Sequence, residues 1–446
     1  MMHPWAGENA GMARRLPPAA APSTSRFREV PVRNALLRPW LAAVLLAAGA
    51  ALAQSPPASA PAADTVRPEV AKPLIAAQDA IKAKNFSEAL ARIKEAETVP
   101  GRTPYETFVT DRTRGAAAVG AGDVPLALKS FDAVLASPLM PAGERAGLLQ
   151  GMVELAYDAK DYARVGTLAE RYAQAGGSNP EVRKLQVQAL YLGGDFKSAA
   201  AALRQQVEAD EAAGRKPDEQ VLRLWVASAA KGNDMPQYAL ASEHQLVHYP
   251  SPKLWADALG RLPSQPGFSD RLRLDLLRLR LATGTLSQPE QFMEHAQLSQ
   301  QAGLPGEAKK LLDAGFAAGV LGQGTGAAEH KRLQAAVTKQ AADDEKSLLG
   351  AKASPSDNNL NFSTGFALAT IGQFEKGLPL MEGAVAKGGL RSPAEAGLHL
   401  GVAYFGAGQR DKALAAWKTV QGSDGSADLA RLWSALARQP APGGAK

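Results

Sequence analysis

The sequence predicts an all-α chain, an α-α superhelix in which helical hairpins stack in succession with an irregular middle. Three observations predict it. Alanine and other good helix formers dominate, while only 6% of residues are aromatic, a composition that suits close helix packing better than a β-sandwich. Beyond residue 66 the chain resembles itself at a period in the mid-thirties. Within each period two helical stretches flank a short turn that carries Gly or Asp, usually with an aromatic residue just after it.

The first element is predicted to leave the protein. Leu41 to Ala53, LAAVLLAAGAALA, has no charge, follows Arg33 and Arg38, and ends on small residues. A positive flank, a short apolar run and a small-residue end form a secretory signal. A bilayer span needs roughly 20 apolar residues. Residues 1–53 are therefore expected to be leader and signal peptide, cleaved after Ala53. Residues 54–66 follow as a Pro/Ala-rich disordered linker. A periplasmic or secreted protein with no transmembrane anchor in the mature chain is expected. With zero cysteines there is no acylated Cys, no disulfide, no thiolate metal site and no Cys nucleophile.

Charge excludes a further class. The chain carries 50 basic and 44 acidic residues, but six of the former and only two of the latter precede Gln54. What remains is nearly balanced, so a phosphate-binding surface and a nucleic-acid partner are not expected.

The clearest repeat is Leu398 to Val420, LHLGVAYFGAGQRDKALAAWKTV. Gly401 supplies a small first-helix residue, Tyr404 follows three later, Ala413 opens the second helix and Trp417 lies four beyond. The preceding copy places Gly365, Leu368, Gly372, Phe374, Gly377 and Met381 at the same offsets, 36 residues upstream. Further copies run through Asn85-Phe86, Gly115 to Phe131, Asp161-Tyr162 and Asp195-Phe196. Their second-helix markers Ala89, Ala127, Val165 and Ala199 are 38, 38 and 34 apart. Small residues let helix axes approach, and the large residue fills the gap between neighbouring pairs. A hairpin cannot bury its apolar face alone, so stability comes from stacking. Roughly ten helix pairs would fill the mature chain at this period.

These residues resemble the tetratricopeptide repeat (TPR) family, best over residues 70–210 and in the C-terminal third. The resemblance implies a superhelix whose concave face holds a peptide or a partner's helix. It divides the chain into a TPR-like array at 67–248, degenerate helical repeats with loops at 249–358, TPR-like repeats at 359–438 and a disordered tail at 439–446. In the middle, Tyr249-Pro250-Ser251-Pro252 and Leu262 to Gly267 break helices. Lys253–Arg261 and Asp270–Ala282 read as short helices, and 318–328 and 347–359 as loops.

Chemistry is sparse. His244 and His248 are i, i+4 neighbours, the spacing that lets two imidazoles share a metal, but Gln245 cannot be a general base and no third His lies nearby. No metal and no cofactor is assigned; groove-lining histidines are the default. Gly322-x-Gly324-x-x-Ala327 matches a dinucleotide fingerprint in letters, yet follows a helix where a strand is required. Asp343-Asp344-Glu345 reads as a solvated face, and no G-x-S-x-G elbow is present. Arg271, Arg273, Arg278 and Arg280 gather positive charge on one short helix and are the candidate partner groove, for an acidic peptide or a polysaccharide.

The reading is a non-enzymatic periplasmic scaffold that binds a protein or peptide partner in a cell-envelope process. One alternative is a ligand, metal or catalytic module in the irregular middle, where His244, His248 and the loop 318–328 would converge. The other is a self-associating structural protein.

Overall fold

The computed structural model describes residues 65–439, so the expected leader and signal peptide, nearly all of the expected linker and residues 440–446 lie outside the described residues. Those described form twenty α-helices, two 3-10 turns and no strand. No helix among them is long and apolar enough to cross a membrane. The chain divides into two compact units between Ala189 and Leu190.

The first unit holds α1 (Pro68–Lys82), α2 (Phe86–Thr98), α3 (Pro104–Ala121), α4 (Val124–Ala136), α5 (Ala142–Asp158), α6 (Tyr162–Gln174) and most of α7 (Pro180–Leu192). From α1 to α6 each helix packs on the next, and α1 also touches α3. This is the pairing a stack of hairpins requires. Its core runs continuously from Leu74 and Ile93 through Phe131 to Met152 and Leu168. Gly115, Ala127 and Phe131 are buried there, and a Cβ on Gly115 would collide with the Phe131 ring.

One turn is used again and again. Lys84, Gly122, Lys160, Gly194 and Asn233 all have left-handed backbone. The residue after each donates its N–H to a carbonyl five positions back: Asn85 to Ala80, Asp123 to Ala118, Asp161 to Ala156, Asp195 to Leu190 and Asp234 to Ala229, at 2.8–2.9 Å. This satisfies a carbonyl that the finished helix leaves over. The same Asn or Asp then caps the next helix, its side chain accepting an N–H three residues on. A helix stop and a helix start thus share one residue.

The second unit contains α8 (Phe196–Ala212), α9 (Glu219–Lys231), α10 (Met235–His248), α11 (Pro252–Arg261), α12 (Arg273–Ala282), α13 (Pro289–Gln301), α14 (Pro305–Ala317), α15 (Ala327–Gly350), α16 (Asn358–Thr370), α17 (Phe374–Lys387), α18 (Pro393–Gly406), α19 (Arg410–Lys418) and α20 (Ser426–Arg438). Ala199 is fully buried on α8. At the α16–α17 crossing, a Cβ on Gly365 would come within 2.6 Å of the Gly377 carbonyl, so only glycine permits that approach. Gly401, Ala413 and Trp417 are buried, with the Trp417 indole donating to the Leu398 carbonyl at 3.1 Å. Tyr404 donates to Glu382 at 2.7 Å, and Phe374 is half-buried at the edge of the core.

One loop differs from the sequence reading. Helix α15 continues through Ser347 to Gly350, which shortens the expected 347–359 loop; Asp357 caps α16 by accepting the Leu360 N–H. Residues on both sides of 248/249 and of 358/359 share one core. Trp255, Leu259 and Leu276 of the middle belong to the same core as Phe366, Trp417 and Trp433. The reason is the last helix. Instead of ending the stack, α20 returns to pack on α10 and α12. Arg431 pairs with Glu243 at 2.8 Å, and Gln439 donates to the Leu246 carbonyl at 2.8 Å.

Candidate functional site

Helix α12 reads RLDLLRLRLA, and its leucines face the core on more than one side. So apolar a helix drags two charged residues inward, Asp275 and Arg278, one turn apart. A buried guanidinium needs its N–H groups satisfied. Arg278 donates Nη1 to Asp275 at 2.8 Å and grips Glu307 of α14 through Nε and Nη2, both at 2.7 Å. This two-toothed geometry is among the strongest ion-pair arrangements.

The network extends to two histidines and a ring. His399 of α18 lies 2.8 Å from Asp275 through Nε2 and stacks flat on Phe366, 4.2 Å between centroids. Phe366 in turn sits beneath the Arg278 guanidinium at 5.0 Å. His295 is wholly buried, with Nε2 3.6 Å from Glu307 and neither ring nitrogen hydrogen-bonded. Burial pushes the Asp275 carboxyl upward, but His399 and Arg278 outweigh it and hold the group below its ordinary value. Burial opposes ionisation of Glu307 too; Arg278 and His295 more than compensate, leaving it well below the usual range. Arg278 is driven upward by the same carboxylates against the effect of its own burial.

Asp275, Arg278, Phe366 and His399 of this network line a cavity of about 510 Å³. The exposed Arg271 and Arg391 also line it, with Glu395, Phe362 and Phe366. Arg271 donates to Ser269 and to Asp424, each at 3.4 Å.

The four arginines read from sequence do not form one patch. Arg271 lies outside α12, in the 3-10 turn Asp270–Leu272 just before it; it lines the cavity together with Arg278, while Arg273 and Arg280 do not. Arg273 pairs with Glu294, and Arg280 is half-buried with its guanidinium lowered by burial. Sequence reasoning missed Asp275, Glu307, Phe366, Arg391 and His399. Only Asp275 left a trace, as the acid three residues before Arg278 in an otherwise apolar run.

His244 and His248 acquire a partner that their spacing alone could not reveal. Glu211, in the last turn of α8, places Oε1 2.7 Å from His244 Nδ1 and 2.6 Å from His248 Nε2. The three ligand atoms lie within 4.8 Å of one another. Burial raises the Glu211 carboxyl, but the two imidazoles outweigh it and the net displacement is downward. His244 also rests against the Trp225 ring. The loop 318–328 has other partners, with the Gly322 N–H donated to His330 and Leu321 packed in the core beside Phe292 and Leu311.

Successive hairpins, one shared turn and small residues at the crossings decide the architecture. The fold is an all-α, TPR-like helical repeat array. No family model and no curated protein matches the chain. Among solved structures it is similar to the crystal structure of the P58(IPK) TPR domain, at 12% identity over 82% of this chain and 97% of that one. The TM-score is 0.21, too low a superposition for any argument to rest on it.

Proposed function

We propose that the protein is a non-enzymatic scaffold that holds a protein partner in the second unit's cavity, through an extended segment bearing a carboxylate side chain. The observation that carries this reading is the cavity itself. Its exposed arginines, Arg271 and Arg391, outnumber the single Glu395 among its other charged lining residues, while Asp275 and Arg278 behind them already satisfy each other. A site of this kind offers a positive mouth and the aromatic surface of Phe362 and Phe366, the combination that recognises an acidic side chain on an apolar stem. Mutual neutralisation of the buried acid and base favours binding over proton transfer.

Export from the cytoplasm and service in the cell envelope belong to the same proposal, supported by the charge-free run Leu41–Ala53 after two arginines. The test is crosslinked capture from periplasmic extract, with wild type compared with Arg271→Ala/Arg391→Ala. Those exposed residues can be removed without opening the core. Enrichment of a partner that the double variant loses is expected; equal capture by both would exclude the cavity as the docking site. N-terminal sequencing of the exported chain should begin at Gln54.

A further inference from the structure

We propose that Glu211, His244 and His248 form a site for a divalent transition-metal ion of the zinc type, with three protein ligands and a fourth position open to solvent. The argument begins with helix geometry. Residues four apart stand on one face, so α10 projects both imidazoles in the same direction. They meet one carboxylate, and they do so through different ring nitrogens, Nδ1 of His244 and Nε2 of His248. A single anionic oxygen between two imidazoles is the arrangement that a small cation bridges.

The spacing fits. In tetrahedral zinc coordination, ligand bonds of about 2.0–2.1 Å place neighbouring donor atoms roughly 3.3 Å apart. The His–Glu separations here are 2.7 and 2.6 Å, and all three atoms fall within 4.8 Å. Moving each donor outward by about half an ångström makes room for the ion, which rotation of a glutamate side chain supplies. Two nitrogens and one oxygen favour Zn²⁺, Ni²⁺ or Cu²⁺ over Ca²⁺ and Mg²⁺, which prefer all-oxygen shells.

Three further observations support a cation at this point. Glu211 is next to the last residue of α8, and His248 ends α10. The carbonyls left over at both C-termini concentrate negative potential there. The ligand-bearing helices are also held in place, since α8 and α10 each pack on α9 and the His244 ring lies against the fully buried Trp225. All three ligands remain partly exposed, with side-chain exposures of 30, 16 and 19%, so the ion has an entry path and a vacant coordination position.

The test uses the tag-free full chain, stripped with chelator and desalted, titrated with zinc chloride against a chromophoric competitor. One equivalent should bind, and Glu211→Gln, His244→Ala and His248→Ala should each weaken binding at least tenfold. Glu211→Gln keeps the hydrogen-bonding shape while removing the anion, so it separates lost ligation from lost folding; circular dichroism melts verify that each variant is folded. X-ray absorption at the zinc edge should show two imidazoles. Zinc should raise the melting temperature of the wild type and leave that of the His244→Ala/His248→Ala variant unmoved. Equal zinc uptake by wild type and that double variant overturns the assignment, as does a calcium response as large as the zinc response.

Discussion

At the residue scale the recurring turn shows how much one position can be asked to do. Asp161 accepts the Arg164 N–H and donates its own N–H to the Ala156 carbonyl, while Lys160 before it adopts a left-handed backbone that costs an L-residue roughly 1 kcal/mol or more. Asp161→Ala should cost about 1 kcal/mol and Lys160→Gly should gain up to about 1 kcal/mol, opposite shifts in urea midpoint from adjacent residues. Glu106 supports a different kind of statement. Its carboxylate takes two donors from the Arg67 side chain, the Arg67 N–H and the Thr103 N–H, completing a capping box at the start of α3. The Arg67 guanidinium, against the opposing effect of burial, holds Glu106 down at about 2. A carboxyl depressed in the folded state stabilises fully above its unfolded value of about 4.5 and loses that contribution as pH falls towards the folded one. The melting-temperature gap between wild type and Glu106→Gln should therefore be widest above pH 5 and close between about pH 4.5 and 2. A gap independent of pH would mean that the ion pair does not stabilise the fold.

Elements were legible where the signal was local. Gly115, Gly365 and Gly401 each stand sixteen residues before Phe131, Met381 and Trp417, across one hairpin turn, and that constant offset was readable without the structure. The turn was legible only by half: Asp and Gly mark it, but Lys84 and Lys160 have no compositional reason to sit where glycine would. Helix α12 escaped for another reason. Its three arginines, with Arg271 just before it, were readable as charge, yet which of them turns inward depends on Glu307, 29 residues away, and on His399, farther still. Glu211 is the same case at the histidine pair, 33 residues upstream on another helix. Ion pairs between helices are a property of stacking, which no local window contains. The inward turn of Arg278 has a measurable price. Arg278→Ala strands the buried Asp275 and the half-buried Glu307 and should destabilise the second unit by about 3–5 kcal/mol, against well under 1 kcal/mol for Arg273→Ala on the exposed face. Denaturant melts of the two variants would compare them directly.

The described residues form two compact units, and in the second, residues 249–358 and 359–438 share one core. Cooperativity should follow the cores. Trp255→Ala, in the middle, and Trp433→Ala, in the final helix, each remove a nearly buried indole and should cost about 3–5 kcal/mol. Hydrogen exchange should show both variants raising exchange together across residues 250–438, while amides of residues 68–174 stay as in wild type. Independent loosening of the two regions would mean that they are energetically separate despite their shared side chains.

The return of α20 to α10 also bears on how the chain can be made. An open stack acquires stable structure from the front as each hairpin emerges, since each needs only its predecessor. Here the face of α10 that carries Glu243 and Leu246 waits for partners synthesised almost two hundred residues later. Until those arrive, the second unit has leucine-rich helices with no lid, and a ribosome stalled before Ser426 would leave behind a sticky intermediate that chaperones must guard.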